Sequence, residues 1–139
     1  MVRADLAARK IARAAAWLDE AEAILARPEA EYLADRRGRD LAAFYLFLAV
    51  QECIDLAAHW VADAGWQPPD DAASTFDLLA DRGAIDAGLA GGMRAAVGLR
   101  NRVAHGYALL DHARLRTESA QGLGVIRKFL DRTAKAAGL

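Results

Sequence analysis

The chain has 139 residues, 55% of them hydrophobic and 27% charged, which suits one folded domain and excludes a disordered segment. Its formal net charge of -1 excludes a uniformly basic protein that coats nucleic acid, although a local basic patch stays open. The single cysteine, Cys53, excludes an internal disulfide and fits a reducing compartment. The charged N-terminus lacks a signal-peptide core, and the apolar run from Leu41 to Val50 is too short to cross a bilayer. We therefore expect one cytoplasmic domain over residues 1–139.

Abundant alanine, few β-branched residues and only three prolines predict an all-α domain. In the first predicted helix, from Ala4 to Ala26, apolar residues repeat at steps of three and four until Pro28 ends the helix. The polar stretch from Arg27 to Asp40 is expected to be a loop with some helical character.

The second predicted helix, from Asp40 to Ala64, is apolar on every face in its first half. Such a helix has to be covered on several sides, either at the centre of a bundle or in an oligomer interface. Gln51, Asp55 and His59 recur at steps of four, so they form one polar line on the helix. This line either supports a site or is only a self-paired polar stripe. Gly65 is expected to end the helix.

Turn and cap residues divide the remainder into three helices. Ser74 is expected to cap a short helix that stops near Gly83. Asp86 is expected to cap the next helix, and Gly106 is placed where that helix would break or bend. Asp111 is expected to cap the last helix.

The segment LRNRVAHGYALLD concentrates polar groups that suit phosphodiester chemistry, namely Arg100, Asn101, Arg102, His105 and Tyr107. Arginine binds phosphate oxygens and can stabilise transition-state charge, and histidine can move a proton near neutral pH. An RNA strand supplies its own nucleophile, the 2′-hydroxyl, so this chemistry needs no metal. The structural alternative is that a lone helical histidine only packs or faces solvent.

The helical spacing of these groups limits how they can cooperate. Asn101 and His105 are four residues apart and share one face, whereas Arg100 and His105 point about 140° apart. Either the helix bends near Gly106, or two copies of the chain face each other and the arginine of one approaches the histidine of the other.

A local excess of positive charge surrounds the motif. The segment from Met93 to Arg116 holds five arginines and one acid, so phosphate-binding candidates are Arg94, Arg102 and Arg114. No histidine has the spacing of a metal ligand, and there is no glycine loop that would cradle phosphates. We therefore expect neither a metal site nor a cofactor.

Arg100, Asn101, His105 and Tyr107 match the pattern R-x-x-x-x-H-x-Y, in which the chain resembles the HEPN superfamily and its HepT-like toxins in particular. Three segments follow the family's order, namely AVQECIDLAAHWVADAG, TFDLLADRGAI and GMRAAVGLRNRVAHGYALLD. The resemblance covers roughly Asp40 to Arg114.

The resemblance implies an all-α HEPN-like helical bundle that forms a homodimer through its central and motif helices. It implies a metal-independent ribonuclease in which Arg100 and His105 are catalytic and Asn101 orients the substrate or the histidine. It further implies a type VII-like toxin–antitoxin pair. The antitoxin would be an MntA-like minimal nucleotidyltransferase that uses ATP to transfer AMP to Tyr107.

HEPN-like domains also serve in a second class of role, which gives an alternative hypothesis. The chain would then be a non-catalytic helical binding module that docks a nucleotidyltransferase and helps hold its substrate. The intact pair of Arg100 and His105 favours the enzyme.

Overall fold

The computed structural model describes residues 3–139, and every regular element in that range is helical, as the composition predicts. The α-helices are α1 (Ala4–Leu25), α2 (Glu29–Ala34), α3 (Arg36–Asp63), α4 (Ala72–Asp81), α5 (Ala87–Gly106) and α6 (His112–Ala136). A short 3-10 turn, Tyr107–Leu109, joins α5 to α6.

Helix α3 lies at the centre of the bundle and contacts all five of the other α-helices. The predicted apolar stripe of α1 consists of Ile11, Ala14, Leu18, Ala21 and Leu25; the last four of these are buried, together with Ala7, whereas Ile11 is only partly buried. The small alanine side chains of this stripe let the axes of α1 and α3 approach closely. The opposite side of the core is closed by Phe76 and Phe129, whose rings meet edge to face with centroids 5.1 Å apart.

Burial of α3 is incomplete, because one apolar strip of this helix faces outward. Leu46, Val50 and Leu56 are fully or almost fully buried, whereas Leu41 is 43% exposed and Phe44 is 51% exposed. The helix as a whole is long and apolar enough to cross a membrane, a test that core helices of soluble proteins also pass. Its place between the other helices accounts for most of its apolar character.

The stretch from Arg27 to Asp40 is more helical than predicted, so its assignment as a loop is wrong. Helix α2 forms because Tyr32 is fully buried and its hydroxyl donates to the carbonyl of His112 at 3.1 Å. Helix α3 begins at Arg36, because Asp35 caps it by accepting from the Gly38 amide at 3.0 Å. The contact between Tyr32 and His112 joins residues that are far apart in the chain, so the local sequence gives no sign of it.

Most of the other predicted helix ends are confirmed. Asp86 and Asp111 cap α5 and α6, and Gly65 adopts a φ of 75° just after α3. The predicted cap at Ser74 is wrong. Asp71 caps α4 instead, accepting from the Ser74 amide at 2.8 Å, so Ser74 lies inside the helix.

Helix α6 packs tightly against α5 at Gly92. A Cβ atom at this position would lie 2.6 Å from Cγ1 of Val125, which is too short for a stable contact. The neighbouring Gly91 faces open space. Gly92 therefore sets the spacing between the helix that carries the motif and the last helix.

Candidate functional site

The last two turns of α5 and the 3-10 turn that follows carry the predicted motif. Helix α5 continues as regular α-helix through Arg100 and His105. It ends at Gly106, where the helix was predicted to break or bend. Because the helix ends after His105, no bend turns Arg100 and His105 towards each other. Tyr107 lies beyond the helix at the start of the 3-10 turn.

Arg100 is half-buried and reaches across to α3. Its Nη1 donates to Oε1 of Gln51 at 3.1 Å, while its buried Nε has no hydrogen-bond partner within the described chain. A guanidinium group has five N–H donors. The hydrogen bond to Gln51 is the one that the Arg100 side chain makes within the described chain, so its other Nη donors are free to bind an anion.

A chain of polar contacts continues from Gln51 away from the motif. Its Nε2 donates to Oδ1 of Asp55 at 3.4 Å, and Lys10 of α1 donates to Oδ2 of Asp55 at 3.5 Å and to Glu52 at 3.1 Å. The predicted polar line is therefore partly a support for Arg100. His59 is exposed one turn further along and makes no polar side-chain contact with residues 3–139. Lys10 and Glu52 were not predicted, because nothing local to them points to Arg100.

Asn101 and His105 lie exposed on a common face of α5, as their spacing predicts. Neither side chain makes a hydrogen bond with the part of the chain that the structure describes. The imidazole of His105 is therefore open to a ligand that approaches from solvent.

The arginines predicted to bind phosphate already have acidic partners. Arg94 pairs with Asp77 of α4, and Arg102 and Arg114 both pair with Glu118 of α6. The charge count over Met93 to Arg116 included neither acid. Glu118 lies two residues beyond the end of that window, and Asp77 lies on a different helix. Much of the local positive charge is neutralised.

Tyr107 is 42% exposed and lies against the first turns of α3 and α6. Its pKa is raised to about 12, because partial burial disfavours the phenolate and the Asp40 carboxylate beside the hydroxyl stabilises the protonated form. Its ring meets that of His112 edge to face, with centroids 6.4 Å apart. Burial and the nearby Arg39 lower the pKa of His112, whose Nε2 lies 3.8 Å from Oδ1 of Asp40.

A groove of about 640 Å³ opens beside Tyr107 between α3 and α5. Its wall is mostly apolar and is formed by Arg37, Asp40, Leu41, Phe44, Phe47, Val103, Ala104 and Tyr107. The exposed strip of α3 thus forms one side of a groove that ends at the motif. Within residues 3–139, no group of three or more acidic, histidine or cysteine side chains is placed to hold a metal ion.

The arrangement of an exposed histidine, an arginine held from behind and a tyrosine past the helix end agrees with the resemblance drawn from the motif. The sequence profile of the family described as "Ribonuclease HepT-like" matches residues 15–133. The chain belongs to the HepT-like ribonuclease family. A protein of Archaeoglobus fulgidus named "Putative RNase" is 31% identical over 90 residues, which are 64% of this chain and 67% of that relative.

The HepT-like chain also has the fold of HEPN toxins solved in toxin–antitoxin structures. One toxin–antitoxin structure with AMP-PNP matches with a TM-score of 0.85 and 24% identity over 95% of this chain and 98% of that one. A tri-AMPylated HEPN toxin of Shewanella oneidensis, in complex with an MNT antitoxin, matches with a TM-score of 0.84 and 25% identity over the same shares. The predicted all-α, HEPN-like bundle is thereby confirmed.

Proposed function

We propose that this HepT-like protein acts as one domain and is the ribonuclease toxin of a toxin–antitoxin pair in the cytoplasm. The observation that carries the proposal is the pairing of an exposed His105 with an Arg100 whose guanidinium has donors to spare. The 2′-oxygen of RNA attacks the adjacent phosphorus and the bond to the 5′-oxygen breaks. His105 takes the proton from the 2′-hydroxyl and passes it to the leaving 5′-oxygen, Arg100 stabilises the added negative charge, and Asn101 orients the substrate or the histidine.

The proposed active form is a homodimer. Because α5 is regular through both residues, Arg100 and His105 of one chain point about 140° apart. A second copy could supply the missing group. The outward strip of α3, with Leu41 and Phe44 half exposed beside Tyr107, offers an apolar surface for that copy.

We further propose that a minimal nucleotidyltransferase partner of the MntA type controls the toxin by transferring AMP to Tyr107. The AMPylated state of the Shewanella oneidensis toxin supports this, as does the exposure of Tyr107 past the end of α5. In this reaction the phenolic oxygen bonds to the α-phosphorus of ATP, pyrophosphate leaves, and the phenolic proton is released. The added phosphodiester would compete with RNA for Arg100.

The test of the nuclease is cleavage of RNA by purified protein in the presence of EDTA. We expect Arg100→Ala and His105→Ala each to lose about 100-fold or more of the rate, because one removes charge stabilisation and the other proton transfer. His59→Ala is the matched control, since His59 is an exposed histidine outside the motif. Loss of cleavage on adding EDTA to folded protein would contradict the metal-free mechanism.

The test of control is the intact mass of the protein after co-expression with its nucleotidyltransferase. We expect increments of AMP units on the parent chain and none on Tyr107→Phe, which should stay toxic. The control is Tyr45→Phe, at a partly buried tyrosine of α3 that packs against the core, and it should be modified normally.

The alternative, a non-catalytic module that docks the nucleotidyltransferase, gains support from the arginines already neutralised by Asp77 and Glu118. A folded protein that binds the partner but leaves RNA intact with or without metal would favour it.

A further inference from the structure

Three arginines at the start of α3 lie next to the motif tyrosine, although they are distant from it in sequence. We call Arg36, Arg37 and Arg39 the α3 arginine cluster. Arg37 lines the same groove as Tyr107. Arg36 and Arg39 lie within one helical turn of Arg37 at the start of α3, and their charges partly oppose the rise in the pKa of Tyr107.

The cluster differs from the predicted phosphate-binding arginines because it lacks acidic partners. Among residues 3–139, no carboxylate oxygen lies within 4 Å of its guanidinium groups. The nearby Asp35 is occupied by Arg27 at 2.7 Å and by the Gly38 amide. Asp40 faces His112 and Tyr107 and is the one carboxylate in the groove wall.

The three side chains are also differently held. Arg39 is anchored, because its Nη1 donates to the Leu33 carbonyl at 2.9 Å, and its buried Nε has no partner within the described residues. Arg36 and Arg37 are exposed. The first turn of α3 therefore carries two exposed cations and one anchored cation, and Arg37 shares a groove with the tyrosine that follows His105 by two residues.

We infer that the α3 arginine cluster is a subsite for the phosphodiester backbone of the RNA substrate, continuing the path of the strand past Tyr107. This inference rests on the proposed ribonuclease function and names where the substrate is held. Unpaired guanidinium groups bind phosphate oxygens strongly, whereas arginines already paired with acids must first break those pairs. Tyr107 shares a groove wall with Arg37 and follows His105 by two residues, so about 7 Å of backbone at most separates His105 from the end of the groove at the cluster.

The test measures binding of a fluorescent single-stranded RNA by anisotropy over a series of salt concentrations. The parent is His105→Ala, which removes the proposed proton-transfer group and so keeps the RNA intact. We expect Arg36→Gln with Arg37→Gln to weaken binding about 10-fold or more at about 0.1 M salt and to reduce the salt slope by about 1.4, or about 0.7 per lost contact.

The matched control is Lys128→Gln with Lys135→Gln, which removes the same charge from exposed positions on α6. Lys128 lies 16 residues beyond His112 on α6, or about 24 Å along the helix. We expect this control double variant to change the salt slope by less than half as much as the cluster double variant does. Equal effects from both doubles would mean that only net charge matters and would overturn the subsite.

Three further outcomes separate the possible failures. If the parent binds RNA but the cluster variant binds equally well, the subsite is wrong while the nuclease proposal stands. If the cluster variant binds RNA normally but carries fewer AMP units after co-expression, the cluster serves the adenylyl phosphates and the RNA subsite is again wrong. If the parent does not bind RNA at low salt, both proposals fail.

Discussion

Arg100 of α5 and Gln51 of α3 are joined by a hydrogen bond of 3.1 Å between the guanidinium Nη1 and the amide Oε1. Asp55 accepts a hydrogen bond from the other end of the same amide. The amide therefore has a fixed orientation, with its oxygen towards Arg100. Gln51 is a positioning residue in the proposed mechanism, because it acts on RNA only through the arginine.

Gln51→Ala should lower the rate constant for RNA cleavage about 10-fold, since a displaced catalytic group can cost up to about 100-fold. The RNA concentration at half-maximal rate should change less, and the melting temperature should stay close to that of the parent. Gln121→Ala, at an exposed position on α6, is the control. An unchanged rate constant for Gln51→Ala would show that Arg100 needs no support from α3.

Adjacent glycines on α5 should respond in opposite directions to the same substitution. Gly91→Ala should raise the free energy of unfolding by roughly 0.5–1 kcal/mol, because alanine favours the helix and the position is open. Gly92→Ala should lower it by about 1–3 kcal/mol, because its Cβ would meet Val125. Denaturant unfolding measures both, and Val125→Ala should restore part of the loss in Gly92→Ala.

Phe44→Arg should convert the proposed homodimer into a monomer. An arginine at a position buried between two copies leaves an unpaired charge that costs several kcal/mol, equivalent to an increase of about 100-fold or more in the dissociation constant. Leu109→Arg is the matched control, because Leu109 is 93% exposed and outside the groove wall. Sedimentation velocity compares the three proteins. A parent that is already monomeric at micromolar concentration would refute the interface.

Stability should fall as the pH drops through the titration range of histidine, and His112 should account for part of the loss. Burial lowers the pKa of His112 below its ordinary value of 6.5, so the unfolded chain takes up a proton that the folded chain resists. The contribution is fully present above the unfolded pKa and is lost as the pH falls below it. His112→Gln should show a smaller difference in unfolding free energy between about pH 7.5 and about pH 5.0.

The parts of the site that could be predicted depend on neighbours in sequence. The order of Arg100, His105 and Tyr107 is read directly, and the end of α5 at Gly106 follows from the helix-breaking residue itself. Asp86 and Asp111 cap their helices through amides three residues away, so local pattern suffices.

The parts that could not be predicted depend on which helices meet. The acid that neutralises Arg102 is Glu118 of α6, and only the packing of α6 against α5 brings the two together. Glu118 also pairs with Arg114 four residues before it on α6, just beyond the window in which charge was counted. The helical character of α2 depends on burial of Tyr32 beside the first residue of α6. Counting charges along the sequence therefore gave a wrong prediction of which arginines lack an acidic partner.

Lys10 lies on α1, a helix that carries no motif residue, and its side chain is partly buried. Lys10 contacts Asp55, Asp55 contacts Gln51, and Gln51 contacts the guanidinium group of Arg100. In the proposed mechanism, a substitution at Lys10 would therefore alter activity through the position of Arg100. Tuning the strength of the proposed toxin does not require any change in its motif, because the first helix offers an indirect adjustment of the same group.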